Sequence, residues 1–285
     1  MKKPFIAVVT PVYNGENTIE KSIQSLLKQT FVQWINIIVN DGSIDGTREV
    51  LDRYAADTRF IIINLEKNVG RGVARQIALD KTIELDAKYM CMLDADDMYY
   101  PDKLEWQFKY MELHPEITLM SCSIGLINNT GELKEVMEKF ESETVLDFFD
   151  YRRYISVPHA CSIIRTSDIG NVMFDSKMLL GEDQDFMIRL LKDKKYSYVP
   201  KIGYLYNRED SFSYEKYRKS LKLGLYSKRK LGLSKGDLIK ISLSNRLKLI
   251  IVKILCLIRA DIYFGGTNRK PIEMELENHT KLFIE

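Results

Sequence analysis

The segment from Tyr89 to Asp102 reads YMCMLDADDMYYPD, and it determines how the rest of the chain is interpreted. Its apolar start predicts a strand buried in a sheet, which ends in three carboxylates, Asp94, Asp96 and Asp97. Carboxylates this close raise one another's pKa, so the cluster is either fully solvated or held by a metal ion or a basic group. Oxygen ligands on a short loop suit Mg2+ or Mn2+, and a solvated acidic turn before a helix is the alternative.

Length and composition indicate a globular protein that can bury a large core. The chain has 285 residues, of which 45% are hydrophobic and 29% are charged. Residues 214–270 carry fifteen Lys or Arg and three Asp or Glu, so this tail has a charge of +12 and the rest of the chain has 2 − 12 = −10. The four cysteines form no CxxC pair and the N-terminus has no signal-peptide pattern, which predicts reduced thiols in the cytoplasm. No segment has the length and apolarity of a membrane span.

A pattern of strand, loop and helix repeats four times in the first part of the chain. The predicted strands are 5–12, 34–39, 60–65 and the run that leads into Asp94. Four such units imply right-handed crossovers and a mostly parallel sheet, whose ligands bind at the carboxyl ends of the strands. The residues expected to converge there are Tyr13, Asp41, Arg71, Arg75 and Asp94 to Asp97. No loop has GxGxxG or a Walker lysine.

The second part of the chain predicts further strands and one acidic helix start. Strands are predicted over 117–126 and over 159–165, the latter beginning at His159. A helix is predicted to open in the segment GEDQD, which contains Glu182 and Asp183. Acids in a first helical turn also suit the helix dipole, so this position alone does not assign them a chemical role.

Five motifs in this order resemble the family 2 glycosyltransferases of the GT-A fold, of the bacterial polysaccharide type. They are TPVYNGE at 10–16, VNDGSIDGT at 39–47, NVGRGVARQIAL at 68–79, LDADDMYYPDKL at 93–104 and GEDQDFMIRL at 181–190. The resemblance implies an α/β nucleotide-diphospho-sugar transferase fold, with a mostly parallel central sheet flanked by helices. We expect a catalytic domain over 1–210, with a nucleotide-binding half to about 100 and an acceptor half after it. A basic helical extension is expected over 211–285.

The resemblance also implies which residues bind the donor. They are Pro11, Tyr13, Asp41, Arg71, Arg75 and Asp94. Tyr13 would stack on or border the base, and Asp41 would accept a hydrogen bond from uracil. Two of these residues have alternative interpretations, since Asp41 could form an Asx turn and Arg75 could form a surface salt bridge.

By the same resemblance, Asp94 and Asp96 match the DxD motif, and Asp96 would bind a divalent metal, Mn2+ or Mg2+. Asp97 would support them without touching the ion. Asp183 would be the base that deprotonates the acceptor hydroxyl, with Glu182 beside it. His159 is a candidate for contact with acceptor or metal, and a structural histidine is its alternative. A metal supplies charge stabilisation to the leaving diphosphate, and single displacement needs one base and inverts the anomeric centre.

The expected function is transfer of a sugar from a UDP-sugar to a hydroxyl of a growing polysaccharide or lipid-linked oligosaccharide. One alternative is a sugar-1-phosphate nucleotidyltransferase, which should open with a Gly-rich, Arg-containing loop after the first strand. Here that loop is YNGE at 13–16. The other alternative is a membrane-associated scaffold with a degenerate nucleotide site.

The basic tail over 214–270 is predicted to be helical, with breaks at Gly224, Gly232 and Gly236. It would either lie on an anionic membrane surface, peripheral on the cytoplasmic face, or pack against the catalytic domain or a second subunit of a homo-oligomer. Nucleic acid is excluded as a partner because the tail lacks the interleaved aromatic residues of a single-strand groove.

Overall fold

A parallel sheet with helices on both faces forms the first half of the computed structural model, which describes residues 5–128, 131–147, 157–178, 180–207, 214–230, 232–257 and 269–271. Its strands are β1 (Ile6–Val12), β2 (Trp34–Asn40), β3 (Phe60–Asn64) and β4 (Tyr89–Met92). The helices that follow them are α1 (Ile19–Leu27), α2 (Thr47–Asp52), α3 (Arg71–Glu84) and α4 (Lys103–Leu113). The strand order is β4-β1-β2-β3, and each pair is parallel.

The central strand β1 divides the core into two layers. Ile6 and Val8 point into one apolar cluster, which also takes residues from α1, α2 and α4. Ala7 and Val9 point into the other, which takes residues from α3. Side chains alternate between the faces of a strand, so a continuously apolar run such as β1 belongs in the middle of a covered sheet.

The second half of the sheet is mixed. Its strands are β5 (Met98–Tyr99), β6 (Ile117–Ile127), β7 (Leu133–Met137), β8 (Thr144–Asp147), β9 (Ile163–Arg165), β10 (Lys195–Asn207) and β11 (Arg269–Pro271). The order continues as β11-β7-β6-β9-β4, and β10 pairs with β5, β6 and β8. Only the pair of β10 with β6 is parallel among the pairs of these described strands. All strand pairs of the first half are parallel as expected, but the second half is mostly antiparallel, because β9 lies antiparallel between β4 and β6 and the short β6–β7 connection forms a hairpin.

The strand predicted over 159–165 is shorter than expected, because its first residues form a turn. The Ser162 amide donates to the His159 carbonyl at 3.0 Å, and its hydroxyl donates to the Pro158 carbonyl at 2.7 Å. These local bonds compete with the sheet ladder, so β9 begins at Ile163 and His159 is not in a strand.

Three further helices include the one that carries the predicted base. They are α5 (Glu182–Leu190), α6 (Tyr214–Lys230) and α7 (Lys235–Leu257). The predicted break at Gly224 is wrong, since α6 continues through it, and Gly236 lies in the first turn of α7. The chain turns at Gly232, whose φ of +83° is a conformation that glycine adopts readily.

The basic extension begins as predicted with helices, and α6 packs against residues around Asp175 and Asp185. The Ser227 hydroxyl donates to the buried carboxylate of Asp185 at 2.7 Å, and Lys230 lies 2.7 Å from Asp175. Residues 269–271 form an edge strand paired with β7, so the helical prediction is wrong there. Pro271 has no amide hydrogen and is tolerated at a sheet edge.

The predicted domain boundary at 210 lies outside the described residues, between the end of β10 and the start of α6. Across the described ranges, the helices are all too short or too polar to cross a bilayer.

Candidate donor and acceptor site

A cleft of about 510 Å3 opens at the carboxyl ends of β1, β2 and β4. Six of the residues predicted at the site line it: Pro11, Tyr13, Asp41, Arg71, Asp94 and Asp96. Tyr13 is 48% exposed, which leaves an aromatic face free for a ring to stack on. The parallel sheet thus brings together side chains from four separate loops, as the sequence predicts.

The loops after β1 and β2 are joined by hydrogen bonds between them. The Asp41 amide donates to the Val12 carbonyl at 2.8 Å. The Asn14 amide donates to the Ser43 hydroxyl at 2.9 Å, and the Asn14 side chain accepts from the Ile44 amide at 3.0 Å. The YNG and NDGS motifs therefore form one wall of the cleft.

Asp41 holds the third loop in place. Its two carboxylate oxygens accept the amides of Val69 at 2.7 Å and Gly70 at 3.0 Å, and the residue is buried. Each oxygen keeps a second lone pair, so Asp41 can still accept from a base in the cleft. The predicted contact with uracil stays a prediction.

Tyr204 of β10 holds the acidic loop, which consists of residues 94–97, through two hydrogen bonds. The Tyr204 hydroxyl donates to the buried carboxylate of Asp97 at 2.7 Å and accepts the Asp94 amide at 3.2 Å. Burial and the charge of Asp97 raise the pKa of Tyr204 well above its usual value, so the hydroxyl stays protonated as a donor. Asp97 thus points away from the cleft, in agreement with a supporting role.

Tyr204 and the cleft residue Tyr206 were both missed from the sequence. Their strand reads KYSYVPKIGYLYN, and its many β-favouring aromatic residues could have predicted it. The strand places them by pairing with β6 on one side and with β5, which follows the acidic loop, on the other.

Asp94 and Asp96 differ in their electrostatic surroundings. Burial disfavours the charged form of Asp94, but the nearby Arg75 and Arg71 outweigh it and hold the pKa of that carboxyl below its usual value. Burial and the negative charge of Asp94 together raise the pKa of Asp96. The two acids of the DxD motif are therefore not equivalent.

These carboxylates fit a divalent cation. An ion beside Asp96 would offset both causes of its raised pKa, and carboxylate oxygens are the ligands that Mg2+ and Mn2+ prefer. The described residues contain no ready-made group of three or more His, Cys, Asp or Glu side chains placed to hold a metal. The protein would therefore supply only part of the ligand set.

Arg75 connects the acidic loop to α5. Its guanidinium lies 2.9 Å from the Asp94 carboxylate and 2.6 Å from that of Glu182. The Arg75 side chain is 4% exposed, and it does not line the cleft. Direct contact with the donor, as predicted, does not fit a buried guanidinium with two carboxylate partners, and neither does the alternative of a surface salt bridge. The geometry instead favours positioning of Asp94 and Glu182.

Glu182 is fully buried and forms ion pairs with two arginines. Besides Arg75, its Oε1 atom lies 2.7 Å from Nε of Arg71, a half-exposed residue that also lines the cleft. Asp183 is the next residue in the first turn of α5, and it is only partly buried. The negative charge of Asp183 acts to raise the pKa of Arg75, which places this carboxylate close to the same cluster.

His159 is buried among aromatic rings rather than in the cleft. Its ring packs edge-on to Phe174 and Phe186, with centroids 6.3 and 6.1 Å apart. Burial, and then the charge of Arg75, lower the pKa of His159 to about 4, so the ring is neutral at physiological pH. This position favours the structural interpretation over contact with the metal or the acceptor.

The part of the chain that carries the loops of the cleft matches a known family. A model of Glycosyl transferase family 2 matches residues 7–169, more than half of the chain. The chain belongs to glycosyltransferase family 2. It is a sugar-transferring enzyme, and the nucleotidyltransferase and scaffold hypotheses are thereby replaced.

Relatives of this glycosyltransferase include proteins from archaea and bacteria. It is 32% identical over 228 residues to an uncharacterized glycosyltransferase of Methanocaldococcus jannaschii, covering 77% of each chain. It is 35% identical over 127 residues to the UDP-Glc:alpha-D-GlcNAc-diphosphoundecaprenol beta-1,3-glucosyltransferase WfgD of Escherichia coli, covering 44% of this chain and 48% of that one.

Solved structures share the fold of this glycosyltransferase. S. aureus TarS in complex with UDP superposes with a TM-score of 0.60 at 20% identity, covering 83% of this chain and 69% of that one. The mannosyltransferase PcManGT from Pyrobaculum calidifontis, in complex with GDP-Man and Mn2+, superposes with a TM-score of 0.61 at 14% identity, covering 94% and 77%. These similarities establish the GT-A fold with its central sheet flanked by helices.

Proposed function

We propose that this glycosyltransferase moves a sugar from a UDP-sugar to an acceptor hydroxyl with inversion, assisted by Mn2+ or Mg2+. The acceptor is a growing polysaccharide or a lipid-linked oligosaccharide, and the enzyme acts in the cytoplasm at the membrane surface. The name of WfgD, which describes a UDP-glucose donor and a diphosphoundecaprenol-linked acceptor, supports both substrate classes. The UDP complex of TarS supports the nucleotide.

One observation carries the proposal: the buried chain of contacts from Asp94 through Arg75 to Glu182. It connects the acidic loop, which faces the cleft, to the helix turn that carries Asp183. A transferase needs charge stabilisation at the leaving diphosphate and a base at the acceptor, held at a fixed separation. The contacts from Asp94 through Arg75 to Glu182 would fix the distance between these two groups.

The donor would lie along the cleft with its base against Tyr13 and Asp41. An aromatic face contributes roughly 1 to 3 kcal/mol to stacking with a base. Pro11 and Arg71 would border the nucleotide, and Arg71 would add positive charge near the phosphates. Asp94 would support the donor, while Asp96 would hold the divalent ion.

The ion, when bound, would act as a Lewis acid on the diphosphate, whose oxygens would complete its ligands. Asp183 would take the proton of the acceptor hydroxyl as that oxygen bonds to the anomeric carbon and the bond to the diphosphate breaks. General base catalysis of this kind contributes typically 10²- to 10⁴-fold to rate. Attack from the face opposite the diphosphate gives inversion.

The test measures UDP release from a panel of UDP-sugars with Mn2+ or Mg2+, in the presence of acceptor. Asp183→Asn should lower kcat by about 10²-fold or more while leaving UDP affinity by calorimetry unchanged. Asp96→Ala should lose the metal-dependent part of UDP affinity. Asp80→Asn, an acid on the exposed side of α3, is the matched control and should keep full activity. Full transfer activity in both site variants would overturn the assignment.

A further inference from the structure

An apolar stripe runs along the solvent side of α7. Ile239, Leu243, Leu247 and Ile250 are 60%, 58%, 60% and 57% exposed. Their spacing of three or four residues places them on one side of the helix, over about 17 Å at 1.5 Å per residue. The other side of α7 packs on α6, where Val252 is buried. A row of large apolar side chains exposed to solvent along one helix indicates an interaction surface.

Positive charge flanks the stripe. At 100° per residue, Arg246 and Lys253 fall along one edge and Lys240 falls along the other. Residues 214–257 carry twelve Lys or Arg and two Asp or Glu, so the two helices contribute 12 − 2 = +10. The combination of an apolar row and basic edges is typical of a helix that lies in a membrane interface.

We propose that α7 binds an anionic phospholipid bilayer, with its apolar stripe in the acyl boundary and its basic edges beside the lipid phosphates. This deepens the proposed function and rests on it, because a lipid-linked acceptor would be presented at that surface. A second copy of the chain is disfavoured, since pairing two stripes would bring basic edges together. A nucleic acid would leave the apolar row uncovered.

The first experiment is cosedimentation of the full chain, without donor, with vesicles of phosphatidylcholine alone or mixed equally with phosphatidylglycerol. We expect binding to the mixed vesicles at least about tenfold tighter, weakened by added salt. Leu243→Gln with Leu247→Gln should reduce it at least about tenfold, because the apolar contact is lost. Leu113→Gln, a leucine at the end of α4 that is even more exposed, is the control and should bind as the wild type does.

The second arm addresses the basic edges. Arg246→Gln with Lys253→Gln should weaken binding to mixed vesicles more than Lys21→Gln with Lys109→Gln, which removes the same charge elsewhere on the surface. Equal effects of the two double variants would overturn the contact between the basic edges and lipid phosphates.

The remaining outcomes separate this inference from the proposed function. No preference for the anionic vesicles overturns the membrane surface even if UDP release is normal. Sedimentation velocity that shows a dimer, dissociated by the stripe variant, would assign the stripe to a second copy instead. Vesicle binding without any UDP-sugar turnover would overturn the proposed function and leave the membrane surface standing.

Discussion

The guanidinium of Arg75 lies between two carboxylates from opposite sides of the site, Asp94 after β4 and Glu182 in α5. Glu182 is buried, so its charge is tolerable only because arginines compensate it. Removing one member of such a pair is far more damaging than replacing the whole pair with apolar groups.

Arg75→Met should therefore destabilise the protein by about 3 to 5 kcal/mol, since it leaves a buried carboxylate without its main partner. The double variant Arg75→Met with Glu182→Leu should recover a large part of this loss. Urea denaturation of the wild type, Arg75→Met, Glu182→Leu and the double variant measures both effects. Arg218→Met, which breaks an exposed pair with Glu215, is the control and should cost less than about 1 kcal/mol. Equal losses for Arg75→Met and Arg218→Met would contradict the role of the buried pair.

The buried, neutral ring of His159 should make the free energy of unfolding decrease as the pH falls below 6.5. Its pKa falls from 6.5 to about 4 in the folded protein, so the unfolded chain binds the proton more readily. The stability that the neutral ring contributes is complete above pH 6.5, declines as pH falls, and is lost near pH 4. The full loss is of the order of 3 kcal/mol.

His159→Gln should flatten this part of the pH profile, whatever its own effect on stability at pH 7. Urea midpoints measured at intervals from pH 7.5 to 4 give the comparison. His114→Gln, directly after α4, is the control, because it removes a histidine while the decline caused by His159 between pH 6.5 and 4 remains. A His159→Gln profile parallel to that of the wild type would show that the ring is not buried in its neutral form.

At the scale of elements, the loop after β2 depends on Gly42. Its φ is +65°, and a Cβ atom there would lie 2.2 to 2.6 Å from the backbone of Lys67 and Asn68. These are the residues just before the amides that Asp41 holds. The close approach of the two loops therefore requires glycine at this position.

Gly42→Ala should cost about 3 kcal/mol or more and weaken UDP binding, because backbone atoms must shift apart. Gly170→Ala separates the two causes, since Gly170 also has a positive φ, +56°, but has nothing within 4 Å of the added Cβ. It should cost only about 1 kcal/mol, the price of the left-handed conformation. Chemical denaturation and calorimetry with UDP measure the effects, and similar losses for both alanines would argue against loop contact as the cause.

The elements that sequence predicted best were those with continuous apolar patterns. The strands around Ile6, Ile37 and Met90 were predicted because burial on both faces leaves an unbroken hydrophobic run. The strand β10 was missed because it bends and changes partners, with register shifts near Val199 and Ile202 that interrupt any simple alternation. Local turn bonds at His159 likewise overrode the apolar pattern that follows it.

The candidate site was predictable to the extent that its loops follow predicted strands. The motifs identified Tyr13, Asp41 and Asp96 as cleft residues, and the structure brings them together. The buried role of Arg75 and the anchoring role of Tyr204 were not predictable, because both depend on contacts between residues about a hundred positions apart. Their chemical roles in transfer stay predictions.

At the scale of the whole molecule, a bound nucleotide should stabilise the fold more when the ion is also bound. UDP at 100 times its Kd adds about 2.7 kcal/mol to the free energy of unfolding. For a chain of 285 residues that corresponds to a rise in Tm of about 5 °C. Scanning calorimetry with UDP, with Mn2+ and with both measures the effect.

Asp96→Asn should remove most of the rise seen with UDP and Mn2+ together, while Asp80→Asn should keep it. The difference follows from the position of Asp96 in the cleft and of Asp80 on the outer side of α3. An undiminished rise in Tm for the Asp96 variant, or the same rise with UDP in excess chelator, would contradict a metal bound at this loop.

The ladder between β10 and β6 also determines where this chain can be cut. The family match ends at residue 169, and a fragment expressed to that point would contain every cleft-lining loop except the strand with Tyr206. It would nevertheless lack Tyr204, the hydrogen-bond donor to Asp97, and Glu182, the partner of Arg75. It would also leave the edge of β6 that pairs with β10 exposed to solvent. Such a fragment is expected to aggregate through that edge. The shortest soluble unit should therefore extend at least through residue 207, well beyond the recognisable family region.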